Sequence, residues 1–293
     1  MAHLTRRSVV STALATAAAG VFVPAQAAAA APAPPRGPRP LARAHAHNDY
    51  LHPRPLHDAL AQGFTSVEAD IFLVDGELLV AHEAGSLDPA RTLTGLYLDP
   101  LAARVRAHHG SVHAGYRDPL QLLIDIKTEG AATYLALDRV LRSYRHILSH
   151  YAAGRVRSGA VTPLVSGDRA ARVPMEAQTD RYAFYDGRPD DLGTQAPASF
   201  IPLISGNWTQ SFTWPGTGPF PAAERDRLRT FVSTAHAAGQ RVRFWGTPDA
   251  PGPEREAVWT ELVAAGVDHL NSDDLEGLAS FLRRRGGSGR RSG

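Results

Sequence analysis

The chain has 293 residues, 43% hydrophobic and 20% charged, with 26 Gly, 22 Pro and no Cys. This composition excludes collagen, a coiled coil and a wholly disordered chain, and the lack of cysteine excludes disulfides, thiolate zinc, iron–sulfur clusters and a cysteine nucleophile. Seven of the 31 basic residues lie near the ends (Arg6, Arg7, Arg283, Arg284, Arg285, Arg290, Arg291), leaving 24 basic against 29 acidic residues in the body, so the basic overall balance does not imply nucleic-acid binding.

Residues 1–27 read as an export signal: Arg6-Arg7, an apolar run from Val9 to Val23, then the small-residue site Ala25-Gln26-Ala27. The stretch Thr5-Arg6-Arg7-Ser8-Val9-Val10 resembles a twin-arginine signal, with an ordinary secretion signal as the alternative, and either places the mature chain outside the cytoplasm, extracellular or in the cell envelope. Residues 28–40 are an Ala/Pro-rich spacer, 41–282 a single barrel domain and 283–293 a basic flexible tail. No later run reaches about 18 apolar residues, so no transmembrane helix is expected.

In chain order, strand-like runs are expected near 41–46, 65–73, 121–127, 160–166, 182–186, 200–205, 241–246 and 268–272. Helical spacing of apolar residues marks Pro55–Gln62, Leu98–His108, Ala131–Ala152, Ala222–Ala238 and Pro253–Ala265, with helix stops at Ala238-Gly239-Gln240 and Ala265-Gly266-Val267. Eight strands interleaved with helices predict a parallel α/β fold of the TIM (β/α)8 type, irregular around strands 4–6, where the connections are too short for full helices.

The polar residues of interest gather at the carboxyl ends of these strands, where such barrels build active sites. They are His45, His47 and Asn48 on strand 1, Glu68 and Asp70 on strand 2, Asp125 and Lys127 on strand 3, Trp245 on strand 7, and Asn271 and Asp273 on strand 8. Glu68 and Asp70 are two residues apart and so share a strand face, where their mutual repulsion is tolerable mainly if a cation sits between them. Asp125 and Lys127, the only lysine, repeat the spacing. Three carboxylates, a divalent cation and Lys127 together are neutral, and an all-oxygen site suits Mg²⁺ or Ca²⁺ better than zinc. His47 and His82 can then act as general base and acid across a bond.

The order His47-Asn48, Glu68-x-Asp70, His82, Asp125-x-Lys127 resembles the metal-dependent phosphodiesterase superfamily of glycerophosphodiester phosphodiesterases, phosphatidylinositol-specific phospholipases C and spider-venom phospholipase D toxins, which are TIM barrels. Ala44-His45-Ala46-His47-Asn48-Asp49-Tyr50 and Ser66-Val67-Glu68-Ala69-Asp70 most resemble the altered inheritance of mitochondria protein 6 family. The resemblance implies His47 and His82 as catalytic histidines, Glu68, Asp70, Asp125 and Asn48 as ligands of one Mg²⁺ or Ca²⁺, and Lys127 facing phosphate. His45, Trp245 and Asn271 are expected to meet phosphate or substrate, and His45-x-x-Asn48 fits the first histidine of the toxins as well as His47 does. The Arg-Gly and Glu-Asn-Thr motifs of the glycerophosphodiesterases are replaced by Asn48-Asp49-Tyr50-Leu51-His52-Pro53, so glycerol specificity does not follow.

The expected function is phosphodiester hydrolysis, or intramolecular transfer giving a cyclic phosphate, on a small diester or a phospholipid, with no nucleic-acid or protein partner. An amidohydrolase is the second reading, from His45-x-His47, and the absence of histidine between His150 and His236 argues against it. A barrel that binds a phosphorylated ligand without turnover is the third. Trp208, Phe212, Trp214 and Phe220 mark an aromatic segment that either touches a bilayer or packs as a lid.

Overall fold

The computed structural model describes residues 37–288, so the export-signal reading and most of the spacer lie outside the described residues. Eight parallel strands form a closed barrel: β1 (Leu41–Ala46), β2 (Phe64–Val74), β3 (Leu120–Ile126), β4 (Val161–Gly167), β5 (Phe184–Gly187), β6 (Leu203–Asn207), β7 (Arg241–Trp245) and β8 (His269–Ser272). Each pairs with its neighbours in sequence, and β1 closes the ring against both β8 and β2, with a register shift in the β1–β2 ladder between Leu41 and His45. All eight expected strands are present, which is the predicted barrel.

The helices follow the expected pattern with corrections. They are α1 (His57–Ala61), α2 (Asp99–Ala107), α3 (Gly130–Ser143), α4 (Arg172–Ala177), α5 (Trp208–Ser211), α6 (Ala222–Ala237), α7 (Pro253–Ala265) and α8 (Leu275–Ser288). Glu129 starts α3 by accepting from the Ala131 and Ala132 amides at 2.9 and 2.7 Å. The helix expected over Ala131–Ala152 stops at Ser143, and His150–Ala152 is instead a strand of a small antiparallel sheet with Arg155–Arg157 and Asp180–Arg181. After β5 there is only a 3₁₀ turn, Pro189–Asp191, which accounts for the expected irregularity. The last helix runs to Ser288, past Leu282, where a flexible tail was expected to begin.

Outward residues of the strands join the helices in one large core. The interior is divided. Leu123, Leu164, Phe184 and Leu203, from β3 to β6, form a separate apolar cluster. The remaining strands point His45, Ser66, Glu68, Arg243, His269 and Asn271 inward, all at most 5% exposed. The apolar cluster fills one part of the barrel interior, and polar side chains from all eight strands occupy the rest.

Trp208, Phe212, Trp214 and Phe220 are 1–7% exposed and pack on one another and on Phe244, so these four rings are core and offer no surface to a bilayer. No described helix is long and apolar enough to cross a membrane. Truncating the interior cluster by Leu164→Ala should cost about 2–5 kcal/mol, because a closed barrel cannot collapse onto the cavity. Urea unfolding measures this, and a loss below about 1 kcal/mol would show the cluster to be dispensable.

Candidate active site

Two short-range devices bring distant residues to the carboxyl end of the barrel. After β1 the chain turns at Asn48, in the left-handed region with φ 48°. The buried Asp49 carboxylate fixes this turn, accepting from the Leu56 amide at 2.6 Å and from the Tyr97 hydroxyl at 2.9 Å. The second device is a hairpin. Strand β2 continues to Val74, turns through Asp75-Gly76 with φ values of 49° and 88°, and returns as Glu77–Val80, pairing Val80 with Ile71. Positive φ at both turn residues is the signature of a tight hairpin with a type I′ turn. It carries His82 back beside Asp70.

Glu68 is the most constrained group. Its Oε2 lies 2.7 Å from Arg243 Nη2 and 3.1 Å from His45 Nε2. Burial works to raise its pKa, but Arg243 and then His45 outweigh it, and the carboxyl stays well below its ordinary range. His45 Nδ1 is 2.7 Å from Ser66 Oγ, and Gln121 Nε2 donates to the same hydroxyl at 2.8 Å. With both nitrogens engaged and no exposed surface, His45 braces Glu68 and cannot touch a substrate, which corrects its expected role. Burial, then Arg243, lowers the His45 pKa to about 4, so it is neutral. Asn271 is also buried, its Oδ1 accepting from Arg243 Nε at 2.8 Å; its place is behind Glu68 rather than against phosphate.

Around Asp70 the arrangement is different. Its Oδ2 lies 2.5 Å from the Tyr50 hydroxyl and 3.0 Å from Lys127 Nζ, while its buried Oδ1 has no hydrogen-bond partner. Burial and the neighbouring Glu68 push its pKa up to about 6. Lys127 also lies 3.0 Å from Asp125 Oδ1, so the sole lysine bridges two of the three expected metal carboxylates.

Both candidate catalytic histidines have an orienting partner. His47 Nδ1 is 2.6 Å from Asp273 Oδ1, and its Nε2 faces Glu68 Oε1 at 4.0 Å. Burial opposes its protonation, but the Asp273 hydrogen bond raises its pKa nonetheless. His82 Nδ1 lies 2.8 Å from the Tyr50 hydroxyl and 3.6 Å from Asp70 Oδ2, with the imidazole half exposed. Since the one Tyr50 proton serves the acceptor oxygens of Asp70 and Asn48, His82 Nδ1–H is the donor to the Tyr50 oxygen, which leaves Nε2 turned outward. Asn48 joins the two sides: its Nδ2 approaches Asp273 at 3.3 Å, and its Oδ1 lies 2.6 Å from the Tyr50 hydroxyl.

Tyr50 and Arg243 were not among the expected site residues, and Asp273 was placed among the strand-end polar residues without a role. Asp273 was legible as an acid ending strand 8, whereas Tyr50 and Arg243 sit where an apolar core residue and a surface arginine would serve equally well. Arg188, after β5, is a further cation at this end, bonded to Asp186 Oδ2 at 2.6 Å and to Ser166 Oγ at 3.0 Å. Trp245 ends β7 half-buried, opposite Asn207 in register.

The donor set fits a hard cation. Asp70 Oδ1 is without a partner, and no described residue hydrogen-bonds Glu68 Oε1, so two carboxylate oxygens are open, while the Asn48 amide oxygen, the third donor, accepts from the Tyr50 hydroxyl. Among the described residues no group of three or more His, Asp or Glu side chains is placed to hold a metal ion, and Lys127 bridges Asp125 and Asp70 Oδ2. Arg243→Met, which leaves Glu68 buried without its counter-charge, should destabilise the chain by about 3–5 kcal/mol, with much of that recovered by adding Glu68→Gln. A denaturation double-mutant cycle measures the coupling, and strictly additive losses would contradict the pairing.

Residues 39–186 match the AIM6-like phosphodiesterase domain, and residues 241–276 match the glycerophosphoryl diester phosphodiesterase family. The altered inheritance of mitochondria protein 6 of Eremothecium gossypii is 32% identical over 273 residues, covering 82% of this chain and 69% of its own. Its homolog in Arthroderma benhamiae is 27% identical, covering 81% of this chain and 83% of its own. A solved structure from Silicibacter pomeroyi bearing a glycerophosphoryl diester phosphodiesterase name is remote, with 16% identity and a TM-score of 0.48 over 86% of this chain and 96% of its own. The His47, Glu68, Asp70 and Lys127 motifs all fall within the matched domain, and the chain belongs to the AIM6-like phosphodiesterase family.

Proposed function

We propose that the chain is an exported, divalent-cation-dependent phosphoric diester hydrolase acting on a glycerophosphodiester or a phospholipid. The observation that carries this reading is the pair of oriented histidines, His47 on Asp273 and His82 on Tyr50, each beside one member of the Glu68–Asp70 pair.

Glu68, Asp70 and Asn48 would hold Mg²⁺ or Ca²⁺, with Asp125 joining when Lys127 releases it. A bound divalent cation supplies Lewis-acid polarisation of the phosphoryl group. Lys127 and Arg188 offer N–H donors to the phosphate oxygens, where negative charge grows in the transition state. His47 Nε2 removes the proton from the attacking oxygen, either a substrate hydroxyl or water. Asp273 holds the tautomer with Nε2 free and stabilises the imidazolium that forms. His82, held through Nδ1 by Tyr50, presents Nε2 to the leaving alcohol as the acid. If the attacker is a neighbouring hydroxyl of the substrate, the first product is a cyclic phosphate.

The amidohydrolase alternative loses its support, since His45 and His47 do not converge as a ligand pair: His45 is spent on Ser66 and Glu68. Phosphorus NMR of the metal-loaded protein with glycerophosphodiesters, lysophospholipids and phosphatidylinositol should show a cyclic phosphate or a monoester. His47→Ala and His82→Ala should each lower the rate by about 10²–10⁴-fold with the circular dichroism spectrum unchanged, and chelation should abolish turnover. Wild-type rates in either variant would overturn the assignment, and a bound diester that persists unchanged would identify a binding barrel.

A further inference from the structure

The orienting acid Asp273 stands one residue beyond β8 with its side chain half exposed, so the strand ladder does not fix it. Its position decides which nitrogen of His47 carries the proton. Two groups reach Nδ1 of that ring: Asp273 Oδ1 at 2.6 Å, an acceptor that keeps Nδ1 protonated, and Asn48 Nδ2 at 3.0 Å, a donor that requires Nδ1 bare. The Asn48 amide is oriented by its other bonds, its Oδ1 accepting from the Tyr50 hydroxyl and its Nδ2 donating to Asp273. With Asp273 in place, the proton sits on Nδ1 and Nε2 keeps its lone pair. Without Asp273, the Asn48 donor favours the other tautomer, whose Nε2–H has no lone pair with which to take a proton.

Asp273 is held from the loop between β7 and α7. Asp249 Oδ2 accepts from the Asp273 amide at 3.0 Å, and Asp249 Oδ1 accepts from Ser272 Oγ at 2.6 Å. Bonds to a charged acceptor are stronger than neutral ones, and two of them fix both position and direction. The Ser272 carbonyl accepts from the His47 amide at 3.1 Å, so the same segment is tied to the end of β1. Asp249 is itself anchored. Arg255, buried in the first turn of α7, donates from Nη1 to the Asp249 carbonyl and to Asp274 Oδ2, each at 2.9 Å. Pro248, Pro251 and Pro253 further restrict this loop.

We infer that Asp249 is a positioning residue for the His47–Asp273 pair: its carboxylate sets where Asp273 stands and, through it, which His47 nitrogen carries the proton. Among the described residues Asp249 forms no hydrogen bond with His47, so it acts through Asp273. The inference rests on the proposed base role of His47 for its effect on turnover, and on these contacts alone for its effect on the ring.

Nitrogen-15 NMR of the full chain in EDTA, at an alkaline pH where imidazole is neutral, reads the His47 tautomer without substrate. The wild type should carry the proton on Nδ1, and Asp249→Ala should move it mainly to Nε2. Asp249→Asn, which keeps one acceptor oxygen, should fall between them, and it decides the matter if Asp249→Ala does not fold. In turnover of the diester panel with metal, Asp249→Ala should lower kcat about 10–100-fold with KM little changed. The same substitution should add almost nothing to the loss in Asp273→Ala. A wild-type tautomer in both Asp249 variants, or rate losses that multiply in the double variant, would overturn the inference. If the wild type consumes no diester, the phosphodiesterase reading falls and the tautomer alone decides the role of Asp249.

Discussion

Two carboxylates on one face of β2, Glu68 and Asp70, are the constraint to which the rest of the barrel interior responds. Placed two residues apart and nearly fully buried, they repel each other in a medium that screens poorly. The structure answers from every side. Arg243 on β7 and His45 on β1 hold one oxygen of Glu68, and Lys127 after β3 and Tyr50 after β1 hold one oxygen of Asp70. Each supporting side chain needs its own support, and Asn271 and Ser66 provide it for Arg243 and His45. A buried ion pair of this kind contributes little net stability. The carboxylate oxygens it leaves unbonded are Glu68 Oε1 and Asp70 Oδ1.

That demand divides the barrel. Its polar half, on β1, β2, β7 and β8, cannot be packed with aliphatic side chains. Leu123, Leu164, Phe184 and Leu203 on the other four strands form the separate apolar cluster, and above it Ser166 and Ser205 bond the buried Asp186. The groups proposed to do chemistry stand on strands or within two residues of strand ends, all of them barrel strands except for His82. His82 depends on the Asp75-Gly76 hairpin, whose pairing with β2 makes a loop histidine nearly as fixed as a strand residue.

Much of this was legible in the sequence because strands and their ends announce themselves. Runs such as Leu120–Ile126 alternate across a buried wall, and acids at spacing two on an apolar strand have few structural uses. What was not legible depends on partners far apart in the chain. His45 and His47 are chemically alike in sequence, and only the register of β1 against β2, which opposes His45 to Ser66, makes one a buried brace and leaves the other partly exposed. Tyr50 and Arg243 gain meaning only when the barrel closes, with Arg243 and Glu68 175 residues apart. The aromatic segment from Trp208 to Phe220 carried no local sign of which way its rings point. Packing against Phe244 decided that they face inward. The helix expected to reach Ala152 failed for a similar reason, because His150–Ala152 finds strand partners in Arg155–Arg157 and Asp180–Arg181.

The central claim is that the Glu68–Asp70 pair exists to hold a divalent cation between two oriented histidines. Anomalous diffraction from crystals of the full chain grown with Mn²⁺ tests it most directly. The expected result is one manganese bound through oxygens of Glu68 and Asp70, with His47 and His82 near it but not ligating. Density for a metal on imidazole nitrogens, or no metal at the carboxylate pair at saturating Mn²⁺, would contradict it.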